Sequence, residues 1–137
     1  MALSVADPER SAAYYAAALA PVGAISRPAN YTSDRGERPQ VVLIEHTLSL
    51  MLHPADERSG APNPYAAGGV HHLGIHVDSR TLVDQIAAAA DATSAGRITD
   101  GPREFPDEYR FGYYGVFLRD PDHLKWEVFN YTELVVV

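Results

Sequence analysis

The chain has 137 residues, enough for one domain with a real core, because at this size about two-thirds of the unfolded surface can be buried. It has no cysteine, which excludes disulfides, thiolate zinc sites and thiol nucleophiles, so a bound metal must use His, carboxylate or water. With 11 Lys and Arg against 18 Asp and Glu, a net charge of -7, no basic cluster and only short apolar runs, the sequence argues against nucleic acid and membrane as partners and leads us to expect a cytoplasmic protein.

Leu3 and Val5 alternate with Ala2, Ser4 and Ala6, the pattern of a half-buried strand. Asp7-Pro8 then starts a helix. Asp accepts a free amide of the first turn, Pro fits the first helical position, and Tyr14, Tyr15, Ala18 and Leu19 form an apolar stripe that ends near Pro21. Strands are expected at residues 22–26, 40–45 and 48–53, which gives the order β, α, β, β, β for a first module over residues 1–54. Residues 55–69, rich in Pro, Gly and Ala, read as a linker.

The same order begins again in a second module, residues 70–131. Residues 72–77 alternate as a strand, and Ser79 caps a helix with Leu82, Val83, Ile86, Ala87 and Ala90 on one face. Strands are expected at residues 97–99, 113–118 and 124–129. Residues 99–111, with Pro102 and Pro106, read as a long polar loop, either a lid or a mobile surface segment. The valines at 135, 136 and 137 read as a small strand or a subunit contact. Laying Ser79 on Asp7 gives an offset of 72 residues, which brings Ala2 onto Gly74, Leu3 onto Ile75 and Val5 onto Val77. The expectation is a single α+β domain over residues 1–137, built from two tandem βαβββ modules. Their curved mixed sheet surrounds a cleft, with a helix on each sheet's outer face.

Strand parity picks out the chemistry. His72, Gly74 and His76 share a face opposite Leu73, Ile75 and Val77; Lys125, Glu127 and Phe129 oppose Leu124, Trp126 and Val128. Glu127, inside an otherwise apolar strand, is costly to bury without a cation or hydrogen-bond partner. Tyr113 and Tyr114 are adjacent on a strand, so one of them reaches the cleft as a donor or acid, and core packing is the plain alternative for either. Lys125 either pairs with Glu127, holds an anionic substrate or reaches solvent. Asp120, Pro121 and Asp122 read as a turn. His71 is expected to face the packing side or the linker.

Three segments, VADPERSAAYYAAALAPVG, HHLGIHVDSRTLVDQIAAAA and GYYGVFLRDPDHLKWEVF, together spanning nearly the whole chain, resemble the vicinal-oxygen-chelate superfamily of glyoxalase I, bleomycin-resistance proteins and extradiol dioxygenases. The resemblance implies a divalent metal ion (Fe, Mn, Ni or Zn) held by His72 and Glu127, with open positions for a small-molecule substrate. It makes Glu127, Tyr113 and Tyr114 the catalytic candidates and His76, His53 and Lys125 the substrate-binding ones, His53 and His76 being also fallback ligands. It further implies a homodimer whose modules exchange across the interface. Three departures stand out. The offset of 72 residues puts the first module's usual His before Met1, so a third ligand would come from the N-terminus or from water. Ser49, Met51 and His53 stand on the first module's cleft face where a carboxylate is usual. His123 occupies a turn position where relatives carry Gly, which asks for positive φ. The implied activity is that of a metal-dependent lyase, isomerase, thiol transferase or ring-cleaving dioxygenase; the alternative is a non-catalytic small-molecule binder of the bleomycin-resistance type.

Overall fold

In the first strand, β1 (Ala2–Val5), alternation buries Leu3 and Val5 and exposes Ala2 and Ser4. This computed structural model describes residues 1–56, 63, 65, 67–108 and 112–131; parts of the expected linker and long loop, and the valines at 135 to 137, lie outside the described residues. Helix α1 (Pro8–Ala18) starts where the local chemistry asks, with Asp7 in extended backbone accepting the Arg10 N–H at 3.1 Å. It ends at Ala18, and Pro21 sits in a 3₁₀ turn (Ala20–Val22) closed by Gly23 at φ 84°. That extra turn displaces the next strand, so β2 is Ile25–Pro28 rather than residues 22–26. Strands β3 (Gln40–Ile44) and β4 (Leu48–Pro54) complete a sheet in the order β1-β4-β3-β2, with β1 and β4 parallel.

The second module repeats this connectivity. Strand β5 (Leu73–His76) leads to α2 (Arg80–Ala92), whose N-cap Ser79 accepts the Leu82 N–H at 3.2 Å. Strands β6 (Arg97–Glu104), β7 (Tyr113–Arg119) and β8 (Lys125–Tyr131) give the order β5-β8-β7-β6, again with the outer pair β5 and β8 parallel. The fold is thus α+β, two four-stranded mixed sheets with two helices. Strand β6 corrects the expected loop at 99–111, since residues 99–104 are strand. Pro102 is tolerated there because β6 is an edge strand whose pairing with β7 slips register on both sides of Asp100. Gly101, at φ 85°, passes so close to β7 that a Cβ would stand 2.5 Å from the Gly115 carbonyl oxygen.

The helices each cover one face of their own sheet. They pack on each other, and the helix-facing residues of both sheets merge into one core that includes Leu3, Val5, Leu50, Leu52, Leu73, Val83, Ile86, Val116 and Trp126. The opposite, open face of each sheet points away from this core. Trp126 is fully buried; its indole N–H donates to the Tyr14 hydroxyl at 3.1 Å and its ring meets those of Tyr14 and Tyr15 edge-on. The Tyr15 hydroxyl donates to Asp120 at 2.7 Å, Asp120 also accepts the amides of Asp122 and Leu124, and Asp122 accepts the Ala6 N–H at 3.1 Å. The segment 120–122 is therefore a turn and also a tie between the modules. Burial raises the Tyr14 hydroxyl to about 12, raises that of Tyr15 as well, and pushes the Asp120 carboxyl above its ordinary 3.8. His123 adopts φ 66°, the left-handed backbone that its place in the turn demands. Among the described residues no helix is long and apolar enough to cross a membrane.

Candidate functional site

The parallel pairing of β5 with β8 sets Gly74 beside Glu127, and the antiparallel pairing of β7 with β8 sets Phe117 on its other flank. His72 stands immediately before β5. The Glu127 carboxylate is met from two sides: its Oε1 lies 3.5 Å from His72 Nε2, and its Oε2 accepts the Tyr113 hydroxyl at 2.8 Å. The His72 side chain is 33% exposed and that of Glu127 only 10%. A nearly buried carboxylate is thus given one strong donor and one imidazole neighbour, which offsets part of its desolvation. His71, expected toward the packing side or the linker, meets the linker residue Tyr65 with ring centroids 5.9 Å apart and also lies against His72, their Nδ1 atoms 2.7 Å apart. Gly74 keeps the approach open, since a Cβ there would lie 3.2 Å from Glu127 Oε1.

Aromatic rings line the same face. Tyr113 stacks on Phe129 with centroids 5.3 Å apart and meets Tyr131 and Phe105 edge-on, while Phe105 meets Phe117. This second apolar cluster, separate from the main core, escaped the sequence reading as a unit. The period-two spacing of 113 with 117 and of 129 with 131 could have revealed it. His76 joins its edge through Phe129, at 5.5 Å between centroids. Lys125 shares the Glu127 face and sends its ammonium group over the Phe117 ring, 4.8 Å from the centroid.

Tyr114 is corrected. Strand alternation turns it toward α2, where its hydroxyl donates to Asp84 at 2.6 Å and the Arg80 guanidinium lies 5.0 Å from its ring. The hydrogen bond to Asp84 raises its hydroxyl above the usual 10.0. Of the tyrosine pair, only Tyr113 meets Glu127. His53 belongs to the other sheet: its Nε2 lies 3.5 Å from the Tyr31 hydroxyl, which also reaches Met51 Sδ at 3.6 Å. A hollow lined by Ile25, Arg27, Leu43 and His46, near the β3–β4 turn, likewise belongs to the first module and holds none of the His72 group.

His72 and Glu127 present one imidazole nitrogen and one carboxylate oxygen to a common gap, the donor types that first-row divalent ions take. Their chemistry and spacing fit two positions of such an ion. Among the described residues no group of three or more His, Cys, Asp or Glu side chains gathers to hold one, so a third protein ligand is not assigned.

The sequence profile of the Glyoxalase/Bleomycin resistance protein/Dioxygenase superfamily matches residues 1–128. Among curated proteins, no sequence matches the chain. Solved structures with this fold include a glyoxylase/bleomycin resistance protein/dioxygenase domain from Frankia sp. EAN1pec, with a TM-score of 0.72, 19% identity, and 95% of this chain and 93% of that one covered. A glyoxalase/bleomycin resistance protein from Albidiferax ferrireducens has a TM-score of 0.67 at 22% identity, with 95% of each chain covered. A mutant of the genomically encoded fosfomycin resistance protein FosX from Listeria monocytogenes, complexed with Mn(II) and 1S,2S-dihydroxypropylphosphonic acid, has a TM-score of 0.61 at 15% identity, with 93% and 83% covered. At these identities the structural likenesses speak for the fold alone. With a profile match over most of its length and the matching arrangement of two βαβββ modules, the chain belongs to the glyoxalase/bleomycin resistance protein/dioxygenase superfamily.

Proposed function

We propose that this chain is a metal-dependent enzyme of the glyoxalase and dioxygenase group, acting on a small oxygenated molecule at the open face of the second sheet. The observation that carries the reading is the convergence of His72 and Glu127, 55 positions apart, across a 3.5 Å gap. His72 Nε2 and Glu127 Oε1 would hold the ion. Such an ion, when bound, supplies Lewis-acid stabilisation of negative charge on a substrate oxygen. The Tyr113 hydroxyl, which donates to Glu127 Oε2, is the proton donor in this reading. Phe117 flanks Glu127 on the β7 side, and on the β5 side Gly74 leaves room beside the carboxylate. The Mn(II) complex of the Listeria relative supports this choice of chemistry for the fold. We place the protein in the cytoplasm as a homodimer, in keeping with its acidic charge and with the two open sheet faces of each chain.

A second reading is favoured by one observation. Met51 stands in the first sheet at the register position that Glu127 holds in the second, so the first module lacks a carboxylate there. In that reading the aromatic face binds a small molecule without metal or catalysis. Elemental analysis of protein purified without chelator separates the two. The enzyme reading expects a transition metal approaching one equivalent per chain; less than about a tenth of an equivalent, with none regained on dialysis against Mn(II) or Zn(II), would leave the binding protein in its place.

A further inference from the structure

Two imidazole nitrogens 2.7 Å apart, Nδ1 of His71 and Nδ1 of His72, hold a single proton between them, because two N–H groups would clash and two lone pairs would repel. A neutral imidazole carries one N–H. On the far side of the His72 ring, Nε2 is 3.5 Å from Glu127 Oε1, outside the roughly 2.7–3.2 Å range of an N–H···O bond. The other oxygen of Glu127 is engaged by Tyr113. Of the two ways to share that proton, the one that puts it on His72 Nδ1 leaves no N–H of His72 outside hydrogen-bond range.

We infer that His71 is a positioning residue: it accepts the Nδ1–H of His72 and so holds His72 in the tautomer whose Nε2 lone pair faces Glu127 Oε1. The inference rests on the reading of His72 and Glu127 as an ion-holding pair and deepens it. A lone pair and a carboxylate oxygen facing each other across a gap make a place for a cation. An Nε2–H in the same place would donate to Glu127 and close that gap. The nitrogen of a ligating His that faces the ion is set by the bond its other nitrogen makes. His71 is itself oriented by edge-on contacts with Tyr65, at 5.9 Å between centroids, and with His72, at 4.9 Å. It adds no ligand; it acts through His72.

The test is nitrogen NMR of the histidine rings in the metal-free full chain, combined with titration of Zn(II) alone. In the unaltered protein His72 should carry its proton on Nδ1. His71→Phe keeps the ring and its edge-on contacts but removes the acceptor; His72 should then move to the Nε2–H tautomer and Zn(II) affinity should fall about tenfold to a hundredfold. His71→Asn, whose amide oxygen can accept the same bond, should keep the original tautomer and most of the affinity. A His72 protonated on Nε2 in the unaltered protein, or a tautomer unmoved by His71→Phe, overturns the inference. The expected tautomer with no Zn(II) binding upholds the role of His71 and removes the metal reading instead.

Discussion

The two modules share one backbone plan and diverge on one face. Ala2 pairs with Met51 in the first sheet as Gly74 pairs with Glu127 in the second, and Val41 flanks Met51 as Phe117 flanks Glu127. Each position is met by a tyrosine hydroxyl: Tyr31 lies 3.6 Å from the Met51 sulfur, a weak acceptor, and Tyr113 lies 2.8 Å from the Glu127 carboxylate, a strong one. The same register thus carries a soft thioether in one module and a hard anionic donor in the other. The helix-facing sides, by contrast, are alike in being apolar and are joined in one core. Repetition of a module preserves what holds the chain together and leaves the open faces free to differ.

The largest effect should come from the face the modules share. Trp126→Ala removes the ring that Tyr14 and Tyr15 pack against and should cost about 3–5 kcal/mol in chemical denaturation. A loss confined to one module, seen as two separate unfolding transitions, would break the picture of a common core. Next, Glu127→Gln keeps shape but removes the charge from the second module's open face. On the proposed reading, Zn(II) affinity should fall by at least about a hundredfold, more than an outer-shell partner is worth, as measured by calorimetric titration.

A smaller, pH-dependent effect should mark the tie between the modules. Burial holds the Asp120 proton above the ordinary 3.8, so the folded chain keeps that proton after the unfolded chain has released it. This contribution to stability is fully present below about pH 4 and is lost as pH rises through the folded value. The stability of the unaltered protein relative to Asp120→Asn should therefore decline as pH rises from about 4 toward neutrality, read from midpoints of urea denaturation. A difference that grows with pH would reverse the sign and refute the assignment. The smallest effect belongs to the first module's counterpart: Met51→Leu should cost less than about 1.5 kcal/mol and leave Zn(II) binding unchanged. A fall in affinity as large as that of Glu127→Gln would show that the faces are not as unequal as their residues.

Much of the fold was legible because its signals are local. Asp7 and Ser79 cap the helices they were expected to cap, and the alternation at Leu3 and Val5 and at Leu73 and Val77 gave the buried sides of β1 and β5. The same parity put Glu127 on the open face beside Lys125 and Phe129. Errors arose where a local signal met a neighbour. Pro102 reads as a loop residue, yet an edge strand with slipped register accepts it. Pro21 and Gly23 add a turn that moves β2 along the chain.

By itself the sequence determined the caps, the strand faces and the repeated order of elements, since these follow from hydrogen bonding and side-chain spacing within a few residues. Only the tertiary structure decided that Tyr113 rather than Tyr114 reaches Glu127, that His71 rests on His72, and that Asp120 ties the second module to Tyr15 across 105 positions. Those outcomes depend on sheet register and on helices packing between sheets. Both are fixed by burial summed over the whole core, and no short segment of the chain carries that sum.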